Sequence, residues 1–379
     1  MSESIRKEIL SGVKRVVIKL GSSVLTHGSG ELSEGVFDDY AREISALKGR
    51  GIEPVLVSSG AIAAGMKKLK IKERPHEIVA KQAIAACGQS ALIWYYEQAF
   101  SVFGEKVAQI LLTHDVLTAR KRFLNARKTL FTLIGMGVIP IVNENDTVAV
   151  EEIMVGDNDN LSAMVTSLVE ADLMVLLTDI GGLYTQDPRA NDDARMISVV
   201  DEIDESVERF AGDTKGRTTT GGMRTKIEAA KTAAAFGVPT IIASGKSAAV
   251  IDDIFEGKDT GTLFLPAKEK LKSRKHWIAY TLKLAGAIVI DGGAVKAIVS
   301  GGKSLLPSGI KSVCGRFGVG DLVRCVDTTG KEVARGLSSY GSEEIAKIAG
   351  KRTQDIEGVL GYKYSDEVIH RDDLVVMKK

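Results

Sequence analysis

The chain has 379 residues, of which 44% are hydrophobic and 26% are charged, as is ordinary for a soluble globular protein. Its 50 lysines and arginines nearly cancel its 49 aspartates and glutamates, so bulk charge favours neither nucleic acid nor a membrane as partner. No apolar run is long enough to span a bilayer, and the N-terminus lacks a signal-peptide core. Three cysteines without a CxxC pair offer no zinc spacing, so we expect a cytoplasmic protein.

Short β-branched runs alternate with longer amphipathic segments up to about residue 265. The runs that we predict as buried strands are almost entirely apolar, as parallel strands covered on both faces are; they are 15–20, 53–59, 108–113, 139–145, 173–179 and 238–244. Helical segments such as 81–100 and 221–237 separate them. This alternation predicts an α/β fold, an open α/β/α sandwich around a mainly parallel central sheet. Ligands of such sheets bind beyond the carboxyl ends of the strands.

The composition changes near PAKEKLKSRKHW, a polar and basic stretch at residues 266–277 that is typical of a linker. Short strands and many glycines follow it, which predicts a small β-rich domain. We therefore divide the chain into an α/β domain at 1–267, a linker at 268–278 and a β-rich domain at 279–379.

Two predicted strands end in small residues that suit an anionic or polar ligand. In RVVIKLGSSVL, Lys19 precedes a Gly-Ser-Ser turn, where backbone N–H groups can approach an anion and the lysine adds a positive charge. In VSSGAIAAGM, Ser59 stands where the chain turns into a helix. Close packing of helix on strand explains both stretches equally well, so a structural role remains open for each.

Two later stretches suit a nucleotide. In TTTGGMRTKIEAAKTA, Lys226 falls near the start of a helix, where a cation is unfavourable unless a bound phosphate compensates. In LLTDIGGLYTQDPR, Asp179 ends a strand before a glycine turn. That arrangement suits the rim around a base or ribose, and an ordinary loop is the alternative.

The motifs NENDTV and VGDNDN bring three carboxylates, Asp146, Asp157 and Asp159, to strand-end and helix-start positions. Crowding of carboxylates is costly unless cations share the site. A substrate ammonium group, lysine side chains or Mg²⁺ could supply them. Helix capping explains one residue, such as Asp157 or Asn158, but not three.

These stretches occur in the order typical of the amino acid kinase family, which the chain resembles over roughly residues 14–245. The matching segments are VVIKLGSSVLT, SSGAIAAGM, IPIVNENDTV, VGDNDNLSA, LLTDIGGLYTQDPR and GGMRTKIEAA. The tail, with AGAIVIDGGAVKAIV, LLPSGI and GVGDLVRC, resembles a PUA domain. The similarity is to the branch that uses ATP to phosphorylate the side-chain carboxylate of L-glutamate, the first step toward proline.

The resemblance implies a role for each matching residue. Lys19 and Lys226 would contact the ATP phosphates, and Asp159 would orient both lysines, which makes these three the predicted catalytic residues. Glutamate would be bound by Ser59, Asp146, Asp157 and Asn158. The implied ATP-binding residues are Lys19, Gly21, Thr178, Asp179, Thr220, Gly221, Gly222, Met223, Arg224, Thr225 and Lys226. Thr219 departs from the family pattern, which has glycine there.

The chemistry of such a reaction fits these residue types. A carboxylate nucleophile is already ionised at neutral pH, so no general base is required. Catalysis then depends on aligning the carboxylate with the phosphoryl group and on neutralising the negative charge between them. Two lysines, glycine-loop amides and Mg²⁺ can do both. We expect ATP and Mg²⁺ as cofactors, with no metal ligand assigned to the protein. An acidic cluster that pairs with a free α-ammonium group disfavours N-acetylglutamate.

The resemblance also implies a homodimer or homotetramer, feedback inhibition by proline, and the reductase of glutamyl phosphate as pathway partner. Two alternatives stay open. One is a related kinase acting on aspartate, acetylglutamate or a nucleoside monophosphate. The other is RNA binding by the tail, where Trp277, Tyr362 and Tyr364 could stack on bases. RNA binding is disfavoured because the basic excess of the tail is slight.

Overall fold

The structure is a computed structural model that describes residues 2–26, 32–113, 120–148, 157–188, 190–191, 193–210, 222–247, 249–266 and 284–377. The chain divides into two compact units, Met1–Lys270 and Leu271–Lys379. The predicted linker at 268–278 lies outside the described residues. Within the described ranges, no helix combines the length and the apolar character needed to cross a membrane.

Strands and helices alternate along the first unit. Its strands are β1 (Arg15–Leu20), β2 (Glu53–Ser58), β3 (Lys106–Leu112), β4 (Val138–Glu144), β5 (Leu173–Thr178), β6 (Val199–Val200), β7 (Thr240–Ser244) and β8 (Thr262–Phe264). Its helices are α1 (Ser2–Ser11), α2 (Ser22–Leu25), α3 (Glu34–Gly49), α4 (Ala61–Leu69), α5 (Ile78–Ser101), α6 (Arg120–Gly135), α7 (Asp157–Leu168), α8 (Glu205–Phe210), α9 (Met223–Ala235) and α10 (Val250–Phe255).

The eight strands form one sheet in the order β3-β4-β2-β1-β5-β7-β8-β6. Every neighbouring pair is parallel except β7 and β8. This confirms the predicted fold class, a mainly parallel sheet in an α/β architecture. The edge strand β3 is less buried than its apolar sequence predicts, and Leu111 is 37% exposed, because an edge strand has a neighbour on one side alone.

Side chains of β1 alternate between the two faces of the sheet, as the period of a strand requires. Ile18 packs in a cluster with Phe37 of α3, whereas Val17 packs in a different cluster with Val165 of α7. Lys19 follows Val17 by two residues and therefore points to the face that α7 covers. The alternation thus delivers a charged side chain to the helix layer that carries the VGDNDN motif.

Small side chains let α7 and α9 pack closely. Ala163 of α7 lies in one buried cluster with Ala229, Ala230 and Ala233 of α9. Because alanine extends by a single methyl group, the two helices approach closely along this contact. Their first turns, which contain Asp159 and Lys226, are thereby held side by side.

Two glycines allow α4 and α5 to cross at short range. A Cβ atom on Gly88 would lie 1.8 Å from the carbonyl oxygen of Ala61, and one on Gly65 would lie 2.0 Å from that of Ile84. Gly60, the N-cap of α4, has a φ of 107°, a backbone conformation that residues with a side chain rarely adopt. This crossing fixes the turn that directly follows β2.

The second unit is β-rich, as predicted. Its strands are β9 (Leu284–Ile290), β10 (Ile310–Cys314), β11 (Leu322–Val326), β12 (Glu332–Leu337) and β13 (Leu374–Val376), with helices α11 (Gly292–Val299), α12 (Ser342–Ile348) and α13 (Ile356–Leu360). Short 3₁₀ turns span Pro307–Gly309, Thr353–Asp355 and Arg371–Asp373. The sheet order is β10-β9-β11-β12-β13, in which only the β9–β11 pair is parallel.

Candidate active site

Polar side chains gather where the central strands end. Lys19 lies near the end of β1, Ser59 follows β2, Asn143 lies near the end of β4, and Thr178 ends β5. These strands are parallel neighbours in the order β4-β2-β1-β5, so their carboxyl ends meet at one edge of the sheet. This is the edge at which open α/β sheets bind ligands.

One buried carboxylate holds two lysine amines at this edge. Lys19 Nζ lies 2.7 Å from Asp159 Oδ1, and Lys226 Nζ lies 3.1 Å from Asp159 Oδ2. All three residues are buried, with 7%, 4% and 1% exposure for Lys19, Lys226 and Asp159 respectively. Two ammonium charges against one carboxylate leave the group net positive, which suits an anionic ligand.

The neighbouring charges act on the pKa values of Lys19 and Asp159. Burial lowers the pKa of Lys19, and the like charge of Lys226 acts in the same direction, while Asp159 opposes both. Burial alone would raise the pKa of Asp159, but the two lysine charges outweigh it and hold that pKa below its usual value. Asp159 is therefore ionised at neutral pH and serves as a fixed counter-ion for both amines.

The glycine turn after β1 lies against the end of β5 and beside the Lys19 amine. The Gly21 N–H donates to the carbonyl oxygen of Leu177 at 3.3 Å. A Cβ atom at Gly21 would lie 3.3 Å from that oxygen and 3.6 Å from Lys19 Nζ. A side chain here would press on the Leu177 carbonyl oxygen, whereas the lysine amine would lie at an ordinary contact distance.

The start of α9 contributes further polar groups. The Thr225 hydroxyl donates to Asp159 Oδ2 at 2.8 Å, a contact that the sequence did not predict. Gly222 is the N-cap residue of the helix and Met223 is its first residue. Arg224 points outward and pairs with Glu228 one turn later. Three residues of the preceding loop lie outside the described part of the chain, namely Thr219, Thr220 and Gly221.

An amide network joins β2, β4 and α7. Asn158 Nδ2 lies 2.9 Å from Ser59 Oγ and 3.1 Å from Asn143 Oδ1. Asn158 Oδ1 is buried and accepts no hydrogen bond from any described residue. Asn143 was missed by the sequence reasoning, although its place in the NENDTV motif at a strand end was a usable signal.

The two acidic-motif carboxylates that the structure describes, those of Asp146 and Asp159, contact different groups. Asp146 Oδ2 accepts a hydrogen bond from Gln89 Nε2 at 3.3 Å, whereas Asp159 faces the lysines. The side chain of Asp157 lies outside the described part of the structure. Gln89 in turn accepts a hydrogen bond from Gln109 Nε2 at 3.1 Å, so a chain of amides links the edge strand β3 to Asp146.

The end of β5 carries the remaining predicted pair. Thr178 is buried, and its hydroxyl donates to Asp179 Oδ1 at 3.1 Å. The Thr178 carbonyl oxygen accepts the N–H of Gly245 at the end of β7. Asp179 lies near enough to Lys19 for its charge to act on the pKa of that amine. Both residues therefore border the lysine pair.

Comparisons with known proteins match both units. Residues 14–244 match the sequence model of the amino acid kinase family, and residues 286–360 match that of the PUA domain. Relatives named glutamate 5-kinase match almost the whole chain. The relative from Geobacter sulfurreducens is 54% identical over 372 residues, which are 98% of this chain and 100% of the relative. The relative from Pelobacter propionicus is 52% identical over the same shares.

A third relative gives the same match. The glutamate 5-kinase of Caldanaerobacter subterraneus subsp. tengcongensis is 51% identical over 365 residues, which are 96% of this chain and 98% of the relative. A crystal structure of UMP kinase from Bacillus anthracis covers 67% of this chain and 96% of its own, with 17% identity and a TM-score of 0.45. That last likeness is too distant to bear on the substrate.

Proposed function

We propose a function from one premise: this chain belongs to the amino acid kinase family. The family match over residues 14–244 and the relatives with about half of their residues identical confirm the resemblance that the motifs carried. The chain transfers the γ-phosphoryl group of ATP to the side-chain carboxylate of L-glutamate. The product is L-glutamyl 5-phosphate, the first intermediate on the way to proline.

The observation that carries this proposal is the pair of amines on one buried carboxylate. Phosphoryl transfer brings an anionic nucleophile to a highly anionic nucleotide, and charge spreads over the oxygens of the transferring group. Each ammonium group has three N–H donors, so Lys19 and Lys226 can contact Asp159 and still donate to phosphate oxygens. Asp159 is engaged by both lysines, so it orients the amines and is not a base.

Glutamate occupies the side of the site formed by β2, β4 and α7 in this proposal. Ser59 and Asn158 offer hydroxyl and amide groups to the substrate. Asn158 Oδ1, which accepts no hydrogen bond from the described residues, suits an N–H donor. Asp146 and Asp157 supply carboxylates for the α-ammonium group. A free amine then gains charged hydrogen bonds that an acetylated amine cannot form.

ATP occupies the side formed by β1, β5 and the start of α9. The phosphates meet Gly21, Lys19 and the segment 220–226, and Thr178 and Asp179 border the base and ribose. Within the described residues, no group of three or more His, Cys, Asp or Glu side chains could hold a metal ion. We assign Mg²⁺ to the ATP phosphates, where it is commonly carried, and name no protein ligand for it.

Several further properties belong to the same proposal. We propose a cytoplasmic enzyme that acts before a reductase of glutamyl phosphate and is inhibited by proline, as the family resemblance implies. We also propose a homodimer or homotetramer, and a regulatory or structural role for the second unit rather than RNA binding.

Hydroxylamine trapping tests the activity. The protein is incubated with ATP, Mg²⁺ and hydroxylamine, and glutamate is expected to yield a hydroxamate from the trapped acyl phosphate. Aspartate, N-acetylglutamate and UMP are offered in parallel as competing acceptors, with ADP release measured for UMP. A preference for any of these over glutamate would overturn the proposed substrate.

A further inference from the structure

We infer that Thr225 is a positioning residue, whose hydroxyl group fixes the orientation of the Asp159 carboxylate between the two lysines. This inference rests on the proposed function and assigns the Thr225 side chain a role toward Asp159, while the backbone of Thr225 remains part of the segment that meets the nucleotide. The hydroxyl donates to Asp159 Oδ2 at 2.8 Å, and Thr225 is 8% exposed. Lys226 Nζ contacts the same oxygen, so Oδ2 receives two donors from adjacent residues of α9.

The carboxylate needs such a fixed partner. The terminal torsion of an aspartate is broad and roughly two-fold, so contacts alone decide which oxygen faces which lysine. The Lys19 and Lys226 amines repel each other across the site, and both are carried on long side chains. Thr225 is β-branched and close to its helix backbone, which restricts its rotamers. It is therefore the rigid donor, and the lysines are the adaptable ones.

This division of roles matters when ATP binds. Each lysine must then share its N–H donors between Asp159 and the phosphate oxygens. A carboxylate held by the lysines alone would be free to rotate as those contacts are redistributed. The Thr225 hydroxyl keeps Oδ2 against α9, so Asp159 continues to direct both amines toward the phosphoryl group.

A purely local role competes with this inference. Thr225 Oγ1 also lies 2.9 Å from the carbonyl oxygen of Gly222, where it would stabilise the first turn of α9. One hydroxyl proton serves one acceptor at a time, and an ionised carboxylate is the stronger acceptor. The two roles differ in consequence, because a local role affects helix stability and a positioning role affects turnover.

Three variants separate the roles. Thr225→Val keeps the shape and removes the hydroxyl, Thr225→Ser keeps the hydroxyl, and Thr232→Val is the matched control. Thr232 lies on the same helix, and its hydroxyl donates to the carbonyl oxygen of Glu228 at 2.9 Å, away from Asp159. The kcat and the KM values for glutamate and ATP are measured by hydroxamate formation, and thermal unfolding is followed in parallel.

The expected result is a loss of kcat in Thr225→Val by about ten-fold or more, because hydrogen bonds to charged groups are worth at least that factor. The KM for glutamate should stay within about two-fold, because the Thr225 hydroxyl takes no part in binding glutamate in this proposal. Thr225→Ser should recover most of the lost kcat, and Thr232→Val should match the wild type. If Thr225→Val fails to fold, Thr225→Ala replaces it.

Three results would overturn the inference while leaving the proposed function intact. They are an unchanged kcat in Thr225→Val, a rise in glutamate KM alone, and a Thr225→Ser variant as slow as Thr225→Val. A wild-type protein that forms no hydroxamate overturns the proposed function, and the inference with it. The wild-type assay therefore distinguishes the two failures.

Discussion

Lys226 and Asp159 form an ion pair of 3.1 Å between two buried side chains at the first turns of α9 and α7. Removing one member of a buried pair leaves the other charge uncompensated. In this site, removing Lys226 leaves the Asp159 charge partly compensated, because Lys19 Nζ still lies 2.7 Å from Asp159. The pair can therefore be broken from the lysine side without stranding a bare carboxylate.

Lys226→Ala should retain the fold and lose turnover by about 100-fold or more, the usual effect of deleting one donor to a developing charge. Lys231→Ala is the matched control, since Lys231 lies on the same helix in an exposed pair with Glu208. Hydroxamate formation and thermal unfolding are measured for both. Comparable turnover in the two variants would remove Lys226 from the catalytic residues.

Asp159→Asn should shift the alkaline limb of the activity profile to lower pH. Burial lowers the pKa of Lys19 and the Asp159 charge raises it, so a neutral amide lowers it further. Lys19 then loses its proton at a lower pH, and the stabilising charge is lost with it. The dependence of kcat/KM on pH is measured between about pH 6 and 9 for Asp159→Asn and for the wild type. Coincident alkaline limbs would contradict the assignment of Asp159 as the counter-ion of Lys19.

The sequence predicted much of this fold and site because the informative residues stand in local motifs. A charged lysine at the end of an apolar strand and a cation at a helix start are visible without coordinates. The sheet order and the antiparallel β8 are not visible, because they depend on pairing between segments distant in sequence. The contact of Thr225 with Asp159 was likewise hidden, since nothing in either motif specifies that α7 and α9 pack together.

The burial of edge strands is a second feature that the sequence pattern does not predict. The run that became β3 is as apolar as the central strands, so periodicity predicted that both faces would be covered. Its position at the edge of the sheet leaves Leu111 partly exposed, and hydrophobicity alone does not distinguish an edge strand from a central one.

Glu43 should make stability depend on pH. It is 1% exposed, and its Oε2 accepts the N–H groups of Ile251 and Asp252 at the start of α10. Burial raises the pKa of Glu43 to about 7, well above its value of about 4.3 in an unfolded chain. Its contribution to stability is therefore present below pH ~4.3 and is lost as the pH rises through about 7.

Thermal unfolding of the wild type and of Glu43→Gln should therefore diverge with pH. The wild type is expected to lose stability relative to the variant between about pH 4 and 7 and to level off above that range, because only the wild type must ionise a buried carboxyl group. Asp38→Asn, on the exposed side of the same helix, should follow the wild type. Parallel curves for the wild type and Glu43→Gln would show that Glu43 titrates normally.

Gly88→Ala should damage both stability and substrate binding. The new Cβ atom would lie 1.8 Å from the Ala61 carbonyl oxygen, so α4 and α5 must separate, at a cost of about 1–3 kcal/mol. Because α4 begins directly after Ser59 and Gly60, its displacement should also raise the KM for glutamate. Gly35→Ala is the control.

A Cβ atom on Gly35, in the first turn of α3, would meet nothing within 4 Å, and replacing glycine with alanine in a helix favours the folded state. Gly35→Ala should therefore match or exceed the thermal stability of the wild type and keep its KM. If Gly88→Ala unfolded at the wild-type temperature with an unchanged KM, the crossing of α4 and α5 would not be what fixes the turn after β2.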